Sequence, residues 1–230
     1  MISIADNLKN VRQTIKNAAN SSARDPESVT LLAVSKTRPV EDLKEATNNG
    51  QRHFGENYLQ DALAKIQAFE NHPGIEWHFI GPIQSNKTRP IAESFQWVHT
   101  IDREKIARRL DEQRPESLPP LNICIQINID DETSKSGISP KELPQLAATI
   151  NRFENLQLRG IMAIPKAGQP EEQTRSSFRQ MKTLYDQLKA QFPSVDTLSM
   201  GMSGDISLAI EEGSILVRVG TAIFGERIKR

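Results

Sequence analysis

A lysine, Lys36, closes the apolar run Val29-Thr30-Leu31-Leu32-Ala33-Val34-Ser35. At the end of a buried strand its ammonium either loses hydration, which lowers its pKa and makes it a Schiff-base nucleophile, or snorkels to solvent. In Leu198-Ser199-Met200-Gly201-Met202-Ser203-Gly204-Asp205, small residues and hydroxyls run into a helix. Free backbone N–H groups and the helix dipole at such a start favour an anion, against the plainer role of Ser203 as a helix cap. In Val217-Arg218-Val219-Gly220-Thr221 the glycine admits a ligand close to the backbone, and Thr221 offers a hydroxyl. An amine, a phosphate cradle and a cation together suit pyridoxal 5'-phosphate, whose ring nitrogen needs a partner. Arg218 is the candidate partner; a guanidinium there keeps the nitrogen unprotonated and weakens the ring as an electron sink. The same lysine and phosphate site would also suit a Schiff-base aldolase acting on a phosphorylated sugar.

Other polar groups carry weaker signals. His53-Phe54-Gly55-Glu56-Asn57-Tyr58 reads either as a polar cluster at a site or as a turn in which Asn57 caps the next helix. In Trp77-His78-Phe79, strand alternation puts His78 opposite both aromatics, as a hydrogen-bonded core residue rather than a base. The four histidines, His53, His72, His78 and His99, show no close metal-ligand spacing, so no zinc or iron centre is expected. Lys135, in Asp130-Asp131-Glu132-Thr133-Ser134-Lys135, reads as a solvated loop lysine among acids, with a second amine for cofactor transfer as the alternative.

These residues need a scaffold that gathers strand ends. Ile4, Leu8, Val11 and Ile15 form one apolar stripe of a helix over 3–19. Pro39 and Gly50 bracket a helix over 40–49. Strands are expected at 29–34 and near 52–54, 75–80, 96–100, 121–128, 156–161, 196–199 and 215–219. Helices fit near 57–69, 86–94, 103–113, 140–151, 171–190 and 204–212. Eight βα units in alternation imply an α/β protein, a single (β/α)8 barrel with an extra N-terminal helix; a doubly wound open sheet is the alternative. Such folds bind ligands on the loops after their strands, and barrels often hold phosphate after the seventh and eighth.

Composition narrows the class. The 230 residues carry 29 Lys+Arg against 29 Asp+Glu, a net charge of zero that argues against a dedicated nucleic-acid binder. The length is close to the roughly 250 residues of such a barrel, so one domain over residues 1–230 is expected. Cys124 is the only cysteine, which excludes an internal disulfide and a Cys-based zinc site; inside the fifth strand it reads as a reduced core residue. The apolar runs are too short to span a bilayer, and the N-terminus has no signal-peptide pattern, so a cytoplasmic location is expected. No heptad or apolar face suggests assembly, and a monomer is expected.

Seven segments then occur in an order that resembles the pyridoxal phosphate homeostasis proteins, also called proline-synthase co-transcribed proteins. They are Ala33-Val34-Ser35-Lys36-Thr37, Phe54-Gly55-Glu56-Asn57-Tyr58, Trp77-His78-Phe79-Ile80-Gly81, Gly160-Ile161-Met162-Ala163-Ile164-Pro165, Ser199-Met200-Gly201-Met202-Ser203, Arg218-Val219-Gly220-Thr221 and Ile223-Phe224-Gly225-Glu226-Arg227. The resemblance implies a fold-type III barrel like the N-terminal domain of alanine racemase, with pyridoxal 5'-phosphate held as a Schiff base on Lys36. It places Asn57 near the ring, Ser203, Gly220 and Thr221 at the phosphate, and Arg218 at the pyridine nitrogen. Ile83 stands where leucine is expected and Asp61 where glutamate is, and neither position is expected to touch the cofactor.

Members of that family are regarded as vitamin B6 homeostasis factors without an established catalytic activity. The expectation here is a protein that buffers pyridoxal 5'-phosphate or delivers it to apoenzymes that depend on it. Racemisation needs an acid/base group on each face of the substrate. In alanine racemases the second is a tyrosine from a separate domain, for which the eleven residues after the eighth strand leave no room. Tyr185 is expected to pack on the outer helices and Tyr58 to be structural. A weak racemase or transaminase-like enzyme is the alternative, separated by turnover that Lys36→Ala abolishes. The aldolase is separated from both by the lack of a visible cofactor band.

Overall fold

The computed structural model describes residues 3–132 and 135–226. Eight strands alternate with helices: β1 (Thr30–Val34), β2 (His53–Glu56), β3 (Glu76–Phe79), β4 (Trp97–Ile101), β5 (Leu121–Ile127), β6 (Leu156–Ala163), β7 (Thr197–Ser199) and β8 (Leu216–Val219). The helices are α1 (Ile4–Ser21), α2 (Val40–Asn48), α3 (Leu59–Ala68), α4 (Thr88–Ser94), α5 (Glu104–Gln113), α6 (Leu143–Ile150), α7 (Glu171–Gln191), α8 (Ile206–Glu211) and α9 (Thr221–Phe224). Most strands are apolar runs covered on both sides, as parallel strands require, whereas β2 and β3 alternate polar with apolar residues. The order β1 to β8 closes on itself, with every pairing parallel. Ala33 settles closure over the open-sheet alternative, because it pairs with Phe54 of β2 on one side and Val219 of β8 on the other.

Side-chain alternation divides the core into two layers. Phe54, Trp77 and Phe79 point outward into the main apolar cluster beneath the helices. The interior instead holds a smaller cluster of Trp97, Cys124 and Met162, together with the buried polar residues His78, His99, Ser199 and Arg218. Burial pushes the Cys124 thiol up to about 12, which keeps it protonated and inert, as a core cysteine should be.

The extra helix α1 starts where Ser3 accepts a hydrogen bond from the Asp6 N–H at 3.1 Å. It buries Leu8, Val11, Ile15, Ala18 and Ala19 and packs on α8 and α9, the helices after β7 and β8. Asn7 Nδ2 donates to the Ile223 carbonyl at 2.8 Å, fixing the height of α1 against α9. Among the described residues no helix is long and apolar enough to cross a membrane.

Candidate functional site

Lys36 lies half-buried in the turn that leaves β1, and Thr37 beside it takes φ of 65°, a left-handed conformation uncommon outside glycine. The turn is held on both flanks. Ser35 N–H donates to the Gly55 carbonyl at 3.0 Å, and Ser35 Oγ donates to Glu56 Oε1 at 2.6 Å. Lys65 reaches in from α3 and donates to the Ser35 carbonyl (2.8 Å), Glu56 Oε1 (2.8 Å) and Asp61 Oδ2 (2.7 Å). The same Asp61 Oδ2 accepts the Thr37 N–H at 3.2 Å. Lys65 and Glu56 are fully buried, and burial pushes the Glu56 carboxyl above its usual range against the opposing pull of Lys65 and Ser35. Sequence reasoning missed this network. Its one local signal was a lysine on the buried stripe Leu59, Ala62, Lys65 of α3, four residues after an aspartate. Asp61, which is not expected to touch a cofactor, thus supports the Lys36 turn through the Thr37 N–H.

On the far side of the mouth the loop after β7 meets the turn after β8. Ser203 Oγ accepts the Ala222 N–H at 3.4 Å. The loop is pinned by Asp205 Oδ1, which accepts the Met202 N–H at 2.5 Å. Ser203 does not cap α8; Asp205 holds the cap position, and Ser203 is left exposed. The N–H groups of Ser203, Gly204 and Thr221 donate to nothing among the described residues. Gly201 takes φ of 95°, and a Cβ there would stand 2.5 Å from Ala209 Cβ, so the loop needs glycine to lie flat on α8. A Cβ on Gly220 would stand 3.3 Å from the Val34 carbonyl, which shows how closely the turn after β8 approaches the strand that delivers Lys36. A groove of about 790 Å³ between α1, α8 and the loop after β6 opens beside Ser203 and Gly204.

Arg218 projects from β8 into the interior and is 4% exposed. Its Nη1 donates to Ser199 Oγ at 2.7 Å and its Nη2 to the Ala163 carbonyl at 2.8 Å. Among the described residues it forms no salt bridge, and burial lowers its pKa to about 10. Behind Ser199 lies His99, then His78, then His53, each within hydrogen-bond distance of the next. Burial, helped by the Arg218 charge, pushes His99 down to about 3, and His78 falls well below its usual value, so both are neutral at physiological pH. His78 is therefore the hydrogen-bonded core residue the alternation predicts. Strand register also gathers His53, Glu76 and His78, whose potential ligand atoms all lie within 4.8 Å of one another, a proximity that spacing along the chain conceals. The facing His53 Nδ1 and His78 Nε2, 3.2 Å apart, share a hydrogen bond.

Asn57 is half-buried and is not the helix cap that local sequence allows; α3 begins at Leu59 with Tyr58 at the cap. Instead Asn57 lines a cavity of about 260 Å³ at the mouth with Thr100, Gln126 and Lys135, and its buried Oδ1 has no partner among the described residues. Gly81 makes room for it, since a Cβ there would stand 2.2 Å from the Asn57 carbonyl. Lys135 is not a solvated loop lysine: it donates to the Ile164 and Pro165 carbonyls at 3.2 and 3.0 Å and pairs with Glu132 at 2.5 Å. Thr133, Ser134 and Arg227 lie outside the described residues. Tyr185 packs in the outer core as expected, whereas Tyr58 is 55% exposed and not a packing residue.

Comparison with known proteins agrees with this architecture. The family described as the alanine racemase N-terminal domain matches residues 4–228. The alanine racemase of Clostridium difficile superposes with a TM-score of 0.77 at 16% identity, over 97% of this chain and 58% of that one, a likeness of fold. The chain is thus a barrel of the alanine racemase N-terminal class. A pyridoxal phosphate homeostasis protein of Vibrio cholerae is 55% identical over 99% of this chain and 98% of its own. PipY of Synechococcus elongatus, solved with pyridoxal phosphate bound, superposes with a TM-score of 0.81 at 37% identity, over 97% of this chain and all of that one. The chain belongs to the pyridoxal phosphate homeostasis protein family.

Proposed function

We propose that this protein binds pyridoxal 5'-phosphate at the barrel mouth and serves in vitamin B6 homeostasis, buffering the cofactor or delivering it to apoenzymes that depend on it. The observation that carries the reading is Arg218, a buried cation at the mouth whose hydrogen bonds among the described residues go only to Ser199 Oγ and the Ala163 carbonyl, with the Asp205 carboxylate acting on it from beyond salt-bridge distance. A buried charge whose direct contacts are neutral dipoles is costly, and a ligand acceptor would complete its shell. The residues present fit the cofactor. Lys36 supplies the amine, held by the Lys65–Glu56–Asp61 network. Ser203, Gly220 and Thr221 supply hydroxyls and a close-lying backbone for the phosphate, and the unused N–H groups there suit its charge. Arg218 would face the ring nitrogen, and Asn57, whose buried Oδ1 has no partner among the described residues, would stand near the ring. When bound, the cofactor supplies an aldehyde that joins a lysine amine and a ring that accepts electron density.

The role is holding rather than turnover, in a monomeric cytoplasmic protein. Relatives are named for homeostasis, and Arg218 favours a ring nitrogen without a proton, which suits retention better than carbanion chemistry. Borohydride reduction of the loaded protein followed by peptide mass mapping is expected to label Lys36, and Lys36→Ala to lose the visible cofactor band. A label on Lys135 in place of Lys36 would overturn the site. Turnover of small amino acids above that of free cofactor, lost in Lys36→Ala, would overturn the holding role.

A further inference from the structure

A polar line crosses the barrel interior that cofactor binding by itself does not require. From the mouth, Arg218 Nη1 donates to Ser199 Oγ at 2.7 Å, and Ser199 Oγ lies 3.2 Å from His99 Nδ1. His99 Nε2 lies 2.9 Å from His78 Nδ1, and His78 Nε2 lies 3.2 Å from His53 Nδ1. The last ring stands 3.6 Å from Glu76 Oε2 at the opposite end, where His53 and Glu76 open β2 and β3. Trp97 Nε1 donates to that same Glu76 oxygen at 2.8 Å. Arg218, Ser199, His99 and His78 are buried, while the His53 side chain is 34% exposed.

Proton counting gives the line a direction. A neutral imidazole has one donor and one acceptor, so one proton sets all the others. Ser199 Oγ already accepts from Arg218, and among the described residues the one acceptor for its own proton is His99 Nδ1. That puts the His99 proton on Nε2, and the His78 proton on Nε2 in turn. The lone pairs of His99 Nδ1, His78 Nδ1 and His53 Nδ1 then all face the Arg218 end, and His53 Nδ1, which accepts from His78, makes no hydrogen bond to Glu76. The opposite sense would strand a buried hydroxyl proton.

We propose that Ser199 and His99 are positioning residues for Arg218, held in a single proton sense by a histidine line that ends at His53 on the barrel floor. Nitrogen-15 spectra of histidine-labelled, cofactor-free protein test the direction without the cofactor reading. His99 and His78 are both expected neutral with the proton on Nε2; a proton on Nδ1 of either ring would overturn the proposal. The link to Arg218 rests on the proposed cofactor role and is read separately, in loaded protein. Ser199→Ala is expected to shift the visible cofactor band and weaken cofactor retention about tenfold, the scale of one hydrogen bond to a charged group. Ser199→Thr is expected to restore both. Loaded Ser199→Ala protein with an unmoved band would sink the positioning role, and an unlabelled Lys36 after borohydride would instead sink the binding site.

Discussion

Two buried polar groups carry stability consequences that differ in sign with pH. Lys65 and Glu56 form an ion pair with the lysine 2% exposed and the carboxylate fully buried, and Lys65 also holds the Ser35 carbonyl beside Lys36. Lys65→Met leaves Glu56 with Ser35 alone, so it is expected to cost about 3 kcal/mol or more, as breaking one side of a buried pair does. The stranded carboxyl escapes by taking a proton, because burial already raises its pKa. A raised acid favours the folded state while protonated, so the loss in Lys65→Met should deepen as pH rises. Urea unfolding of Lys65→Met at acid and alkaline pH measures that slope, and adding Glu56→Gln should recover much of the loss. His99 works in the other direction. It is held neutral down to about 3 in the fold but takes a proton near 6.5 when unfolded. The unfolded chain therefore binds more protons across that window, and stability should fall by about 1.4 kcal/mol per pH unit on acidification through it. A His99→Gln variant should show a flatter acid limb in the same unfolding series.

At the scale of elements, the strands and helices were legible because most strands are short apolar runs fenced by turn residues, and each helix carries an apolar stripe. The site was legible in its outline: Lys36, Arg218 and the Ser203–Gly204 loop sit at strand ends, which parallel barrels gather at one mouth. What supports Lys36 was not legible. Ser35, Glu56, Asp61 and Lys65 become neighbours through the β1–β2 pairing and the return of α3, and along the chain only the Asp61–Lys65 spacing of four hints at that. The histidine line was hidden for the same reason, since its members from Arg218 to His53 sit on five different strands. The loop after β7 offers a test of how far local backbone sets the site. Gly201 combines φ of 95° with a would-be Cβ contact of 2.5 Å to Ala209. Gly201→Ala should therefore cost about 1–3 kcal/mol in backbone strain and lift the Ser203–Gly204 segment off α8. Phosphate competition against bound cofactor should then require less phosphate, while the Lys36 label after borohydride persists.

For the molecule as a whole, closure is uneven around the barrel. β5 and β6 pair in register along seven residues, whereas the register of β7 and β8 is the single pair Ser199 and Leu216 among the described residues, with backbone hydrogen bonds from Ile215, Met200 and Arg218 beside it. That narrow pairing falls between the two loops proposed to hold the phosphate, where a ligand would need the least play. α1 compensates from outside. It packs on both α8 and α9, the helices that follow β7 and β8, and its Asn7 ties α9 in place. The helix that lies outside the eight βα units thus braces the part of the barrel where strand pairing is thinnest. Leu8, fully buried on α1, isolates the effect. Leu8→Ala should cost about 3 kcal/mol from lost burial and the cavity left behind. If α1 acts as the brace, hydrogen exchange should rise first across residues 200–225 and leave β5 and β6 protected. Uniform loss of protection across the barrel would mean that α1 adds stability generally and does not brace the phosphate side.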